Sequence, residues 1–321
     1  SFKLFLAAAV LVTEFFVVAL PLMITSAKAD GHPIQAITHA GFGGGTDVTT
    51  RMMLLRTRRY LKQDMQLVNK KGGGGAASMD YMMTLPADGQ HTLTWTTGHA
   101  VSMALGKTKV KLSDMQPLAR GTDDPQLFVV NCKNDIKDAK KFISAQKSKS
   151  LKYGTTHVGG IDDVSAIAFT KKGKLTDPTI VPYKGVGPIK TNLIKGDIDV
   201  GVLNLGEAVT EIEDGTLCVS VVLASNRMEK LSNVPTATEL GIPVVLSTVR
   251  GFVTRKGVPA DRKKQLEDAM IKAMEHKYFQ SFLTDIGLDS TSVVGADEWG
   301  KQMEVMLAEM TAQLKALGYI N

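Results

Sequence analysis

Residues 34–61 read IQAITHAGFGGGTDVTTRMMLLRTRRYL, and this stretch sets the fold class. Ile34–His39 is a short apolar run of strand length, Gly41–Gly45 breaks it, and Val48, Met52, Leu55 and Leu61 then recur at helical spacing. A strand, a glycine turn and an amphipathic helix open a βα unit. Working outward, the pattern repeats. Met65–Asn69 reads as a strand, Gly72–Gly75 as a break, and Ala77, Met79, Met83 and Leu85 as a helix face; Pro86-Ala87-Asp88-Gly89 is a turn and Thr92–Thr97 a third strand. After Pro125, strands are predicted at Gln126–Asn131, Lys152–Thr155, Thr179–Tyr183 and Val200–Leu203. The helices between them are predicted at Ala139–Gln146, Asp163–Lys171, Pro188–Lys195 and Glu207–Glu213. Two further strands, Cys218–Ala224 and Thr248–Thr254, precede a helical end made of Pro259–Lys277, Tyr278–Ile286 and Asp297–Leu317. Pro259 suits a first helical turn. Strands alternating with helices imply parallel βαβ units and the α/β class.

The chain of 321 residues favours two domains, but no Pro/Ser linker separates two halves. The expectation is therefore two lobes with parallel-core sheets, joined by crossing strands. One lobe is discontinuous, 30–126 plus 225–321, and the other is 127–224. No internal repeat or low-complexity tract stands out.

The first thirty residues differ from the rest. Lys3 is followed by apolar Leu4–Val12, then Thr13-Glu14, then apolar Phe15–Ile24 and the small-x-small ending Ala27-Lys28-Ala29. This reads as a secretory signal peptide over 1–29, cleaved near Ala29. The rival is a retained membrane anchor, but neither apolar run reaches the ~20 residues a span needs. Glu14 at a bilayer centre would cost roughly 2.5–3.5 kcal/mol, by analogy with other charged residues. No Cys adjoins the segment, so no lipid anchor is expected. The formal charge of +6 is scattered; Arg56, Arg58, Arg59 and Lys62 are the densest basic group and read as a solvated helix face. Nucleic-acid binding would need a denser patch interleaved with aromatics, whereas a small positive excess suits steering of anionic solutes.

The sharpest local feature is Gly41-Phe42-Gly43-Gly44-Gly45-Thr46-Asp47, between a strand and a helix. Glycines let the backbone come close to a ligand, and the first N–H groups of the helix lack intrahelical partners and carry partial positive charge. Such a loop takes an anion. No Lys follows, so it is not a P-loop, and the sixth position of Gly-x-Gly-x-x-Gly is Thr46, so the dinucleotide fingerprint fails. A carboxylate, or water held by the loop, fits better; the structural alternative is a plain tight turn. Thr46 or Asp47 is expected to cap the helix. A second loop of the same kind, Thr155-Thr156-His157-Val158-Gly159-Gly160, leads into a helix that Asp162 or Asp163 is expected to cap. Ligands in parallel sheets sit beyond the carboxyl ends of strands. Two facing loops would grip the ends of one small anion. Thr97, Gly98 and His99, together with Tyr183 and Asn204, end further strands and are candidate contacts, with ordinary loop roles as the alternative.

Cys132 and Cys218 adjoin the strand-like runs Leu127–Asn131 and Val219–Ala224. Were these neighbouring antiparallel segments, the sulfurs would end level. A Cys132–Cys218 disulfide is expected in an exported protein, two free buried thiols being the alternative.

At these residues the chain resembles the Bug family, solute receptors of tripartite tricarboxylate transporters. The resemblance lies in Gly43-Gly44-Gly45-Thr46-Asp47, Asn69 with Gly72–Gly75, Pro86-Ala87-Asp88-Gly89, Val181-Pro182-Tyr183-Lys184-Gly185, Gly187-Pro188, Gly196-Asp197-Ile198-Asp199, Asn233-Val234-Pro235-Thr236 and Glu239-Leu240-Gly241. It implies a periplasmic two-lobed binding fold of type II that closes on its ligand. The implied ligand is a small organic carboxylate, held by 43–47 and 155–160 through backbone groups and waters. The implied partner is a separate set of membrane permease subunits, and the receptor is expected to be a monomer without cofactor. Two departures stand out. His39 and Phe42 replace the usual prolines ahead of the glycines, and Ile161-Asp162-Asp163 replaces a hydroxyl-rich Ser-Ser-His. Two carboxylates there disfavour a second anionic ligand end, leaving helix capping, an amine- or hydroxyl-bearing ligand, or a bridging cation.

His39, His99 and His157 fall at strand ends, from which a shared cleft is within reach, but no His-Glu-x-x-His or other close ligand spacing occurs, so no metal site is expected. No Gly-x-Ser-x-Gly elbow or other nucleophile–base pair marks an enzyme. A receptor presenting its ligand to a sensor kinase, and an enzyme acting on a small acid, remain the alternatives.

Overall fold

The computed structural model describes residues 32–156 and 158–320. The signal-peptide segment and His157 lie outside the described residues. His32–Asn321 forms one compact unit. Its strands are β1 (Ile34–Thr38), β2 (Met65–Asn69), β3 (His91–Thr96), β4 (Met115–Pro125), β5 (Leu127–Asn131), β6 (Lys152–Thr155), β7 (Thr179–Pro182), β8 (Val200–Leu203), β9 (Leu217–Val222), β10 (Ser247–Arg255) and β11 (Val294–Gly295). Its helices are α1 (Gly45–Leu61), α2 (Ala76–Met83), α3 (Thr97–Ala104), α4 (Ala139–Ser148), α5 (Ile161–Lys172), α6 (Val186–Lys195), α7 (Leu205–Glu213), α8 (Ala260–Glu275), α9 (Lys277–Asp285) and α10 (Ala296–Ala316). No described helix is long and apolar enough to cross a membrane.

The strands make two sheets, ordered β11-β4-β10-β3-β1-β2 and β7-β6-β8-β5-β9. In the first, β2, β1 and β3 run parallel and β10 lies antiparallel to β3; in the second, β7, β6 and β8 run parallel and β5 lies antiparallel to β8. The two sheets thus repeat one plan, with β6 in the place of β1, although the sequence shows no overall repeat. In both, the helix after the first parallel strand starts at that strand's carboxyl end, so α1 and α5 hold corresponding positions.

A continuous buried apolar cluster reaches across both sheets. It includes Ile37, Leu93 and Trp95 from the first, Phe128 and Tyr153 from the second, and Trp299, Met303, Met306, Met310 and Leu314 of α10. At Gly251 the central strand β10 passes so close beneath the Trp299 indole that a Cβ would overlap it. Cys132 and Cys218 are joined by a disulfide, with Cα atoms 5.0 Å apart. The antiparallel pair β5–β9 sets them level, Val130 facing Cys218. Both strands belong to the second sheet, so the bond braces one sheet and does not span the two.

Besides the two-residue β11, two longer elements were not predicted. β4 hides its period behind Arg120, Asp123 and Asp124, yet Arg120 and Asp124 are buried. Arg120 is neutralised within the fold, donating to Asp123, to Gln302 and to the carbonyls of Thr291 and Ser292. α3 begins where the third strand was expected to end, because Thr96 and His99 form a capping box that turns the chain into a helix. Pro259 is the N-cap of α8 and lies just outside the helix.

Candidate functional site

The loop before α1 is built from main chain. Gly43 has φ +74°, which favours glycine, and Gly44, in extended backbone, is the N-cap. Neither Thr46 nor Asp47 occupies the expected capping position. Asp47, third residue of the helix, instead reaches back: its Oδ2 accepts the Gly43 N–H at 3.0 Å and Arg51 Nε at 2.9 Å. Its Oδ1 is buried with no hydrogen-bond partner. The guanidinium of Arg250, 3% exposed, lies on the helix start, where a Cβ on Gly45 would meet Nη2 at 2.6 Å. Phe42 stands 78% exposed at the loop tip, with the Arg51 and Lys71 cations over its ring.

The loop before α5 has the same frame. Gly159 has φ +70° and Gly160, again extended, is the N-cap. Asp163, third residue of the helix, accepts the Gly159 N–H at 2.6 Å, as Asp47 accepts that of Gly43. Here too the expected capping by Asp162 or Asp163 is replaced by a reach back into the loop. Asp162 accepts both the N–H and the hydroxyl of Thr156, at 2.9 and 2.6 Å. Burial pushes the Asp162 carboxyl up to about 6 against those hydrogen bonds, and Glu207 and Asp163 push it the same way. Thr155, fully buried at the end of β6, has a hydroxyl with no hydrogen-bond partner.

A polar row connects the two loops. Arg250 Nε donates to Thr46 Oγ1 at 3.3 Å, and its Nη1 to Thr122 Oγ1 and to Asp124 Oδ2, the last at 3.2 Å. Asp124 ends β4 where the chain crosses to the second sheet. Burial outweighs the Arg250 charge and raises its carboxyl to about 6, and its Oδ1 is buried without a partner. Asn204 donates to the carbonyls of Asp124 and Pro125, and Glu207 caps the Asn204 N–H. Burial raises Glu207, which also feels Arg250 and Asp124. Hydrogen bonds thus run from Thr46 through Arg250 to Asp124 and, by way of Asn204, to Glu207; Glu207 and Asp162 are related through their charges. Arg250, Asp124 and Glu207 were not among the candidates. Arg250 stood in the sequence as an ion within a strand pattern and Asp124 as one beside a crossing proline, while Glu207 opened a predicted helix with nothing to mark it.

Other candidates are occupied structurally. His99 is fully buried; Nδ1 accepts the Thr96 N–H at 3.0 Å, which leaves Nε2 to donate to Ser78 Oγ at 3.0 Å. Burial, then His39 with its ring centroid 4.4 Å away, holds His99 well below the usual histidine range, so it is neutral. Thr97 Oγ1 donates to Ser247 O and accepts Val249 N–H, tying α3 to β10. Gly98 packs beside Thr96 and the Gly74 carbonyl, and Tyr183 packs over Gly154. Asn204 spends its amide on the crossing strand. Among the described residues no group of three or more His, Cys, Asp or Glu could hold a metal ion. A cavity of about 660 Å³ is walled by Arg120, Asp123, Asn226, Ser247 and Asp289 among others, and none of the candidate loop residues lines it.

The model of the tripartite tricarboxylate transporter family receptor matches residues 49–317. The chain belongs to this receptor family. BugT of Bordetella pertussis is 27% identical over 220 residues, 66% of each chain. The fold is that of a TctC solute-binding protein from Polaromonas, 24% identical with TM-score 0.76 over 90% of this chain and 100% of that one. MatC of Rhodopseudomonas palustris, solved with bound malate, is 23% identical with TM-score 0.76 over 88% and 98%. The protein is thus a solute-binding receptor of the TctC/Bug type. Family and fold are those of binding proteins, not of enzymes. The matched segment starts at residue 49, after the first loop, so the role of 41–47 rests on its geometry.

Proposed function

We propose that this receptor captures a small organic carboxylate between two lobes, 30–126 plus 225–321 and 127–224, and delivers it to the permease of a tripartite tricarboxylate-type transporter in the periplasm. The carrying observation is a set of buried polar atoms left without partners at the two helix starts and between them: Asp47 Oδ1, Asp124 Oδ1 and Thr155 Oγ1. An unmet buried polar group costs about 1–3 kcal/mol. Asp47 Oδ1 and Asp124 Oδ1 only accept, so waters would bridge them to a ligand carboxylate, whereas the Thr155 hydroxyl could donate to it directly. Malate on a relative of the same fold supports the ligand class. The lobe boundaries follow the two sheets, and ligand that touches both lobes would favour the closed state.

Native mass spectrometry of freshly purified protein tests the reading, followed by a thermal-shift screen of organic acids, since a bound ligand stabilises by linkage. Retention of, or stabilisation by, an acid that Gly44→Val no longer binds is the expected result. Gly44 has φ −72° and an added Cβ would lie 3.4 Å from the Gly41 carbonyl, so valine folds there yet crowds the loop. Chemical turnover of the acid, or unchanged affinity in Gly44→Val, would reject it.

A further inference from the structure

The neighbouring strands β4 and β10 each bury an arginine, and only one of the two is fully spent. Arg120 of β4 donates from Nε, Nη1 and Nη2 to carbonyls, Asp123 and Gln302. Arg250 of β10 donates from Nε to Thr46 and from Nη1 to Thr122 and Asp124, while its Nη2 meets no acceptor among the described residues. Asp124 and Glu207 both feel the Arg250 charge, but Asp124 takes Nη1 and Glu207 takes the Asn204 N–H, and neither accepts from Nη2. An idle donor on a buried guanidinium is costly, so it points to an acceptor that comes from outside.

The place of Nη2 says where that acceptor sits. A Cβ on Gly45, the first residue of α1, would lie 2.6 Å from it. Cα–Cβ bonds in a helix lean toward its N-terminus, so Nη2 stands at the end to which the first N–H groups point. The ladder of α1 opens with the Val48 N–H on the Gly44 carbonyl, which leaves the N–H groups of Gly45, Thr46 and Asp47 ahead of it. A fixed cation and a helix start thus share one end of α1.

We propose that Arg250 is a ligand-contacting residue: its Nη2 donates to the carboxylate received at the α1 loop, and Asp124 holds the guanidinium in place for it. The inference rests on the carboxylate-receptor reading and deepens it, because the loop then binds its anion with a side-chain cation as well as with main chain. Charged donors bond a carboxylate more strongly than neutral ones. A planar guanidinium tied at Nε and Nη1 is oriented before the ligand arrives, so little rotamer freedom is lost on binding.

Calorimetric titration with malate, succinate, glutarate, adipate, citrate and benzoate tests this on three proteins, the wild type and two variants. Asp124→Asn frees the guanidinium from its internal anion, and it should bind the acid that the wild type binds at least as tightly. Arg250→Met with Asp124→Leu replaces both ions by packed apolar side chains and should weaken the same acid by about tenfold or more. If Arg250 only braces the crossing strand, the outcomes reverse: Asp124→Asn breaks the brace and weakens binding, and the packed double variant restores it. Either reversed result overturns the proposal. Should the double variant fail to fold, Arg250→Lys decides, since one ammonium cannot serve Thr46, Asp124 and a ligand oxygen in the geometry of the fork. A loss of about tenfold supports the contact and unchanged affinity overturns it. An acid lost in Gly44→Val but bound equally by the double variant leaves the receptor reading standing and refutes the role of Arg250. If none of the acids binds the wild type, both fall.

Discussion

The starts of α1 and α5 are one device built twice. Each has a left-handed glycine, an extended glycine at the N-cap, and an aspartate three residues on that accepts the first glycine's N–H. Backbone geometry is therefore not what distinguishes them. Side chains are: α1 carries Arg51 and lies under Arg250, while α5 carries Asp162 and looks toward Glu207. A helix start offers a generic attraction for negative charge. The surrounding ions decide whether that attraction remains available or is already spent on the protein's own carboxylates.

The largest expected effect is on the α1 side. Arg250→Ala leaves Asp124 buried without its cation and should destabilise the protein by about 3–5 kcal/mol in denaturant unfolding. Arg250→Met with Asp124→Leu should recover much of this; a single variant with unchanged stability would show that the pair does not organise the row.

How much of this was legible beforehand follows the chemistry of each part. The βα alternation, the two glycine loops and most strands could be read because main-chain punctuation and apolar period are local signals. β4 could not, because its ions are paired with residues far along the chain, such as Arg120 with Gln302. The role of Arg250 was hidden for the same reason: nothing local in STVRGFVTR says that its guanidinium reaches Thr46 and Asp124. The partners of the candidate His99, Ser78 and Thr96 at buried distances, were likewise hidden, since strand-end position alone does not reveal them. Asn204 stands just past its strand as expected, whereas Thr97 opens α3; their side chains are spent on the crossing strand and on β10.

A middle-sized effect tests the shared device. Asp47→Ala and Asp163→Ala each free a glycine N–H and should each cost about 1–2 kcal/mol. Similar losses in thermal melts support equivalence; a large loss at one site and none at the other breaks it.

An effect of similar size has the opposite sign. Asp162 has a folded pKa raised above its ordinary value of 3.8 to about 6, so the native state holds its proton more tightly than the unfolded chain. Its contribution is therefore greatest below pH ~4 and is lost as pH rises through about 6. Asp162→Asn should raise stability near pH 7 by about 1–2 kcal/mol and flatten the decline between pH ~4 and ~6. A steeper decline in the variant would contradict the charge assigned to this helix start.

Hydrogen exchange of the amides at 43–47 and 159–163, with and without a bound acid, measures most directly whether one ligand engages both helix starts. Slower exchange at both stretches, saturating at the same ligand concentration, is the expected result. Protection confined to one loop, or appearing instead around 284–292, would contradict it.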